Sequence, residues 1–387
     1  IAADQRHAQG QEAIGHPAPW WEMGNVVHAV CVSGGQSGEA YTTHRRFRPC
    51  ALVVSRPRME LAPSDGRGLR YLQGFFKKAP SMAIGQFAYA NHSNRFLAAP
   101  ALENHAFAIA GVPFDGAVTN RPGARFAPQE IRRASLMLCD GIHPVFNVTP
   151  LGVLGDAADM LLPNASPLTE VRKVIEQQAA ALMAAHHCVF LGGDHSVTLP
   201  LLRAAKARHG KLALIHFDAH CDTWQDHFGE PSGHGTWTYE AIQEGLVDPK
   251  QTVQIGLRSS GERAAREYVK DQGGLIYTAR DLRGRDGTGL AATISEIRAR
   301  LGNTPCYLTL DIDCLDPAFA PGTGTPEPGG MSSSQVLTFL EELAALNCIG
   351  MDCVEVAPAY DHAELTSNAA ATFLWTYLCG QVAKQAR

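Results

Sequence analysis

Three short segments concentrate side chains able to hold cations. GGDHS carries Asp194 and His195 behind Gly192 and Gly193, HFDAHCD carries Asp218, His220 and Asp222, and LDIDCLDP carries Asp311, Asp313 and Asp316. Asp-x-His-x-Asp on an extended segment turns three ligands to one side, because strand side chains alternate with a period of two. Asp311 and Asp313 repeat that arrangement on another strand. Unpaired, so many carboxylates and imidazoles in one place would be strongly unfavourable, since like charges repel and burial adds desolvation. Cations resolve the conflict. Asp218, Asp222, Asp311, Asp313, His195 and His220 make four carboxylates and two imidazoles, a set suited to two ions. Oxygen donors with a minority of imidazoles favour Mn²⁺ over the thiolate-rich sites that zinc prefers. Cys221 and Cys314 lie beside ligands in the opposite phase and are expected to be packed, not ligating.

The elements that must position these residues are short apolar runs alternating with helical patterns from residue 106 onward. Candidate strands cover 106–111, 187–193, 212–218, 252–257, 306–313 and 349–356, with helical periodicity in stretches such as EVRKVIEQQAAALMAAH and SSQVLTFLEELAAL. A serine cluster stands ready to cap the last of these helices. Near-continuous apolar strands alternating with helices predict a three-layer α/β/α fold on a mainly parallel sheet. Ligands of such sheets bind at the carboxyl ends of the strands, where all three motifs fall. Residues 82–387 show no linker that would divide them and read as one catalytic domain.

Residues 1–81 differ: they hold ten Lys and Arg against six Asp and Glu, leaving 23 against 32 for the remainder. They read as a leader outside the functional domain, with a targeting or nucleic-acid-binding arm as the alternative. The chain as a whole carries a net charge of −5, which gives no reason to expect nucleic acid or an anionic membrane as partner. No apolar run reaches the length of a spanning helix, and no signal peptide opens the chain. Ten cysteines without a CxxC pair read as free thiols in a reducing compartment, which predicts a cytoplasmic protein.

The segments GGDHS, HFDAHCD and LTLDIDCLDPAFAPGTGTPEPGG resemble the arginase–agmatinase ureohydrolases, and the last is close to the agmatinase form. GVPFDG, RPGARFAPQEIR, SGHGT, VQIGLR and VEVAPAYD extend the resemblance from about Ala106 to the C-terminus. It implies an arginase-like fold, a homo-trimer or homo-hexamer, and hydrolysis of a guanidinium group with two Mn²⁺ ions. By position, His195, Asp218, Asp222 and Asp313 would bind one ion or bridge, and His220 and Asp311 would complete the second. Asp222 would relay a proton to the departing nitrogen, and His234 would exchange protons with bulk water. Glu355 would pair with the substrate guanidinium, and Thr325 would lie near the same end.

Trp224 stands where arginases of this family place an asparagine that reads an α-amino acid, which disfavours arginine. The loop after Asp222 offers Asp226 and Glu230, and no Lys or Arg occurs from Asp218 through Pro249. A small cationic guanidine fits, so agmatine, giving urea and putrescine, is the expected substrate. Guanidinobutyrate is the alternative if Arg121, Arg125 or Arg258 reaches the site and reads a carboxylate tail. Other classes fit less well. A single-zinc deacetylase would not need all six ligands, a silent metal-binding regulatory subunit would be expected to lose some, and nucleic-acid binding conflicts with an acidic body.

Overall fold

The computed structural model describes residues 94–287 and 289–386, so the expected leader over 1–81 lies outside the described residues. Eight strands form one sheet in the order β2-β1-β3-β8-β7-β4-β5-β6. They are β1 Phe107–Gly111, β2 Leu154–Asp159, β3 His187–Leu191, β4 Leu212–Phe217, β5 Val247–Leu257, β6 Leu275–Thr278, β7 Cys306–Asp311 and β8 Cys348–Val354. Every pairing is parallel.

Two strands carry no clear signal in the sequence. β2 reads LGDAAD, and its acids are buried because Arg132 enters between them, with Nε 2.8 Å from Asp156 and Nη1 2.5 Å from Asp159. β6 is a four-residue, half-buried edge strand, too short to register as a pattern. The strands that were expected stop earlier than their apolar runs suggest: β3 ends at Leu191 and β7 at Asp311.

Alternation of side chains sends each strand's apolar residues to two layers. Phe107, Ile109, Val189, Ile215, Phe217, Leu308 and Leu310 pack under the helices Ala127–Ser135, Ala291–Leu301, Ser333–Leu343 and Leu365–Gln385. Ala108, Phe190, Leu212 and Leu214 pack under Leu168–Met183, Thr198–His209 and Trp237–Gln243. The result is the three-layer α/β/α architecture. Ser332 caps the helix Ser333–Leu343 in a reciprocal capping box with Gln335.

The second face changes character near the carboxyl edge. Gln254 on β5, His216 on β4, Thr309 on β7 and Asp352 on β8 are register neighbours in one row across four adjacent strands. All four are fully buried. A row of buried polar groups in a parallel sheet is costly unless each finds a partner, so it marks where the sheet supports something other than packing. Among the described residues eight cysteines are free and seven of them buried. No described helix is long and apolar enough to cross a membrane.

Candidate metal centre and substrate site

The three motifs share one local device. Asp194 Oδ1 accepts the amide of Ser196 at 3.0 Å, Asp218 Oδ1 that of His220 at 2.6 Å, and Asp311 Oδ1 that of Asp313 at 2.9 Å. Each aspartate thus folds the chain into a turn as its strand ends. The ligands are therefore arranged by turns and not by strand alternation, which corrects the expectation of extended segments. Gly193 belongs to the same device: a Cβ there would stand 1.7 Å from the Phe114 carbonyl, so only glycine permits this approach.

The turns bring the six expected ligands together. His195 Nδ1 lies 3.0 Å from Asp218 Oδ2, 3.1 Å from Asp311 Oδ2 and 3.2 Å from Asp222 Oδ2. His220 Nδ1 lies 3.2 Å from Asp218 Oδ1 and 3.1 Å from Asp313 Oδ2. Asp218 faces both groups, one oxygen to each. The expected division is reversed at two positions, with Asp311 beside His195 and Asp313 beside His220. The turn at Asp311 is the cause, since it carries Asp313 past the strand end to the other histidine.

The electrostatics fit cations. Burial, reinforced by the neighbouring carboxylates of Asp313 and Asp218, pushes Asp311 well above the usual carboxylate range. Burial and Asp218 push Asp222 up as well. Burial would lower both imidazoles, yet the surrounding carboxylates raise His195 and His220 well above the ordinary histidine value. Protons thus stand in for positive charge that the cluster otherwise lacks. His195 Nδ1 is buried without a hydrogen-bond partner while three carboxylates surround it. An orphan imidazole nitrogen among oxygen donors suits a divalent ion.

Several supporting residues carry no motif. Thr309 Oγ1 donates to Asp352 Oδ1 at 2.5 Å and lies 2.9 Å from His195 Nε2. Its one proton is thereby engaged, so it accepts from His195 Nε2–H and leaves Nδ1, once it gives up its proton, as the nitrogen able to bind an ion. Asp352 is held in turn by Tyr307 and Thr198, at 3.0 and 3.1 Å. Trp237 Nε1 donates to Asp222 Oδ2 at 2.6 Å, and His216 Nε2 lies 2.7 Å from Asp218 Oδ2.

Beside the cluster, Glu355 Oε1 accepts the amide of His195 at 2.7 Å and faces His234 Nδ1 at 2.9 Å. Its other oxygen, Oε2, is buried without a partner. Gly324 leaves room beside it, since a Cβ there would lie 3.7 Å from Oε2. Burial lowers His234, but the Glu355 charge and hydrogen bond outweigh it and push the ring up to about 9. Nε2 of the same ring faces the Thr119 amide at 3.1 Å and the Thr119 hydroxyl at 2.9 Å.

Other expected residues are placed elsewhere. Thr325 Oγ1 donates to Asp313 Oδ2 at 3.1 Å, so it steadies a candidate metal ligand. Asp226 accepts the amide of Gly229 at 3.0 Å in a turn closed by His227 and Glu230, and both Asp226 and Glu230 are exposed. They serve or flank the turn, and neither bonds to the cluster. The Trp224 ring lies against Gly235 and Gly261. Arg258 is engaged by five backbone carbonyls, Arg125 by Asp115 at 2.5 Å, and Arg121 sits over the Tyr360 ring. A cavity of about 410 Å³ beside Trp224 is lined by Arg258, Arg266, Lys270, Arg280 and Arg283 together with the acids Glu267 and Asp281, so its charged lining is mainly cationic.

Comparison with known proteins gives a consistent picture. The family model described as the Arginase family matches residues 105–380. An agmatinase of Chromobacterium violaceum is 43% identical over 281 residues, covering 72% of this chain and 84% of that protein. The crystal structure of a hypothetical agmatinase from Burkholderia thailandensis superposes with a TM-score of 0.70 at 38% identity, over 77% of this chain and 94% of the other. Proclavaminate amidino hydrolase from Streptomyces clavuligerus superposes with a TM-score of 0.68 at 34% identity, over 76% and 99%.

Proposed function

The chain belongs to the arginase family, and from that premise we propose that it hydrolyses the guanidinium group of agmatine to urea and putrescine, with two Mn²⁺ ions as cofactors. The observation that carries this reading is the pair of ligand groups sharing Asp218, with the unpartnered Glu355 Oε2 beside them. His195, Asp218, Asp222 and Asp311 would hold one ion, and His220, Asp218 and Asp313 the other. Two such ions, when bound, supply the Lewis acidity that makes a water nucleophilic at neutral pH.

The protein's own residues do the rest. Glu355 Oε2 receives an N–H of the planar guanidinium, a charge-assisted bond that orients the substrate carbon toward the cluster. Glu355 Oε1 is already engaged by His195 and His234, so the carboxylate cannot rotate away. His234, joined to that same oxygen, would carry a proton between the site and solvent. Asp222, with one oxygen fixed by Trp237, would pass a proton to the departing nitrogen.

The three arginines able to reach a carboxylate tail in principle, Arg121, Arg125 and Arg258, are all engaged, which supports agmatine. The cationic cavity beside Trp224 favours 4-guanidinobutyrate as the second reading. Urea release from manganese-loaded protein offered agmatine, arginine and 4-guanidinobutyrate in parallel separates them. Preference for agmatine supports the proposal, preference for guanidinobutyrate transfers it to the second reading, and no urea from any refutes both. By the same family reasoning we propose a cytoplasmic homo-trimer or homo-hexamer, which light scattering and fractionation test.

A further inference from the structure

The buried polar row across the sheet contains a third imidazole. His216 is fully buried, and its position qualifies it as a ligand together with His195, Asp218 and Asp222. Distance alone would admit it to the metal site. Its neighbour on β5 decides otherwise.

Gln254 Nε2 lies 2.7 Å from the Cys221 carbonyl oxygen and 3.1 Å from His216 Nδ1. A carbonyl oxygen only accepts, so the amide nitrogen of Gln254 must face it, and the amide orientation is fixed. The second hydrogen of that NH₂ group then points at His216 Nδ1, which must present its lone pair. The ring proton therefore sits on Nε2, aimed at Asp218 Oδ2 across 2.7 Å. The opposite tautomer would set two N–H groups against each other and a lone pair against a carboxylate. The arrangement leaves Gln254 Oε1 buried and unpartnered, an exception to the usual satisfaction of buried polar atoms.

We propose that His216 is a positioning residue and not a metal ligand: locked as its Nε2–H tautomer by Gln254, it donates to Asp218 Oδ2 and sets the plane of the carboxylate shared between the two ligand groups. The inference rests on the reading of this cluster as a metal site, but the tautomer it requires exists without metal. A ring nitrogen that carries a proton has no lone pair for an ion. The hydrogen bond restrains rotation of the Asp218 carboxylate, so that Oδ2 stays on the His195 side and Oδ1 on the His220 side. Thr309 does the same for His195, and Trp237 for Asp222.

The test has two readouts. The first is the long-range ¹H–¹⁵N spectrum of metal-free, full-length protein labelled at histidine, with the His216 signal assigned by its loss in His216→Gln. A protonated Nε2 and a bare Nδ1 support the proposal, and the reverse pattern overturns it. The second is calorimetric titration with Mn²⁺. Glutamine can keep a donor near the Nε2 position, so His216→Gln should bind both ions within about threefold of the wild type. His216→Phe should bind about 10- to 100-fold more weakly, as found when outer partners of metal ligands are removed. Wild-type affinity in His216→Phe, or loss of one ion in His216→Gln, overturns the proposal. Failure of the wild type to bind Mn²⁺ would instead sink the functional reading and leave the tautomer result standing.

Discussion

Replacing Arg258 by lysine should destabilise the metal-free protein and loosen one side of the candidate metal centre. The Arg258 guanidinium donates to the carbonyls of Gly256, Asp313, Cys314, Leu315 and Glu327 at 2.5–3.3 Å. It thereby ties the end of β5 to the turn after β7 and to the TPEP segment. A lysine nitrogen has three donors at a single point, so it cannot reach carbonyls on three sides of a planar fork. Two or more carbonyls lose their donor. At about 1.5–3 kcal/mol for each bond to a charged group, less what water restores at this half-buried site, Arg258→Lys should cost roughly 3–5 kcal/mol. With an unfolding entropy of ~2.1 cal/mol/K per residue over a domain of this size, that is a drop of about 5–8 °C in Tm. Calorimetry after exhaustive chelation measures it, and Mn²⁺ titration should show the His220–Asp313 group weakened more than the His195 group. Arg258→Lys that melts with the wild type would refute the clamp and return Arg258 to the residues free to read a carboxylate tail.

Chelation followed by melting should lower Tm, and Mn²⁺ at a hundredfold excess over its Kd should restore about 2.7 kcal/mol per site; Asp218→Ala should abolish the response, and a chelator-insensitive wild type would contradict the metal assignment. His234 is raised from 6.5 to about 9, so its contribution to stability is complete below pH 6.5 and disappears as pH rises through about 9. Metal-free wild type should therefore lose on the order of 3 kcal/mol across that window, and a flat profile would remove Glu355 as the cause; Glu355→Gln should flatten it. Gly324→Ala places a methyl carbon 3.7 Å from Glu355 Oε2, in the space for the guanidinium, and 3.0 Å from the Arg121 carbonyl, which must give way slightly. Loss of a charge-assisted bond of about 1.5–3 kcal/mol predicts a rise in KM for agmatine of about tenfold or more, and an unchanged KM would place the guanidinium elsewhere. Thr309→Val frees the His195 ring to turn and should weaken the ion held by His195 by about tenfold or more, read by Mn²⁺ titration.

The six candidate ligands were legible because aspartate and histidine at the ends of apolar runs have few structural reasons to be there. Their sharing between two groups was not. That depends on the Asp311 turn, which moves Asp313 off the alternation a strand would impose. The supporting residues were hidden for another reason. His216 and Thr309 each occupy one place in a strand that is otherwise apolar, and their meaning appears only when register aligns them with Gln254 and Asp352. Trp237 reads as an ordinary aromatic until its indole N–H is found on Asp222. The acidic loop misled in the opposite direction, because Asp226 looks available to a ligand but caps its own turn. β2 leaves no strand pattern in the sequence, since its aspartates are tolerable only with Arg132 from the preceding helix between them.

Two of the site residues hold left-handed backbones without being glycine: Asp222 at φ 51° and Glu355 at φ 63°. Such conformations cost about 1–2 kcal/mol each for a side chain with a Cβ. Glycine at Asp222 would relieve that cost and remove a negative charge from a crowded cluster, whereas glycine at Glu355 would forfeit the bonds to His195 and His234. Heat tolerance and activity therefore pull in opposite directions at Asp222. A laboratory evolution campaign that scores survivors of heating alone, with metal stripped away, would enrich replacements of Asp222 and return sturdy proteins that no longer turn over substrate. A campaign that pairs the heat step with a urea readout would retain Asp222 and find its gains in the rest of the sheet and helices.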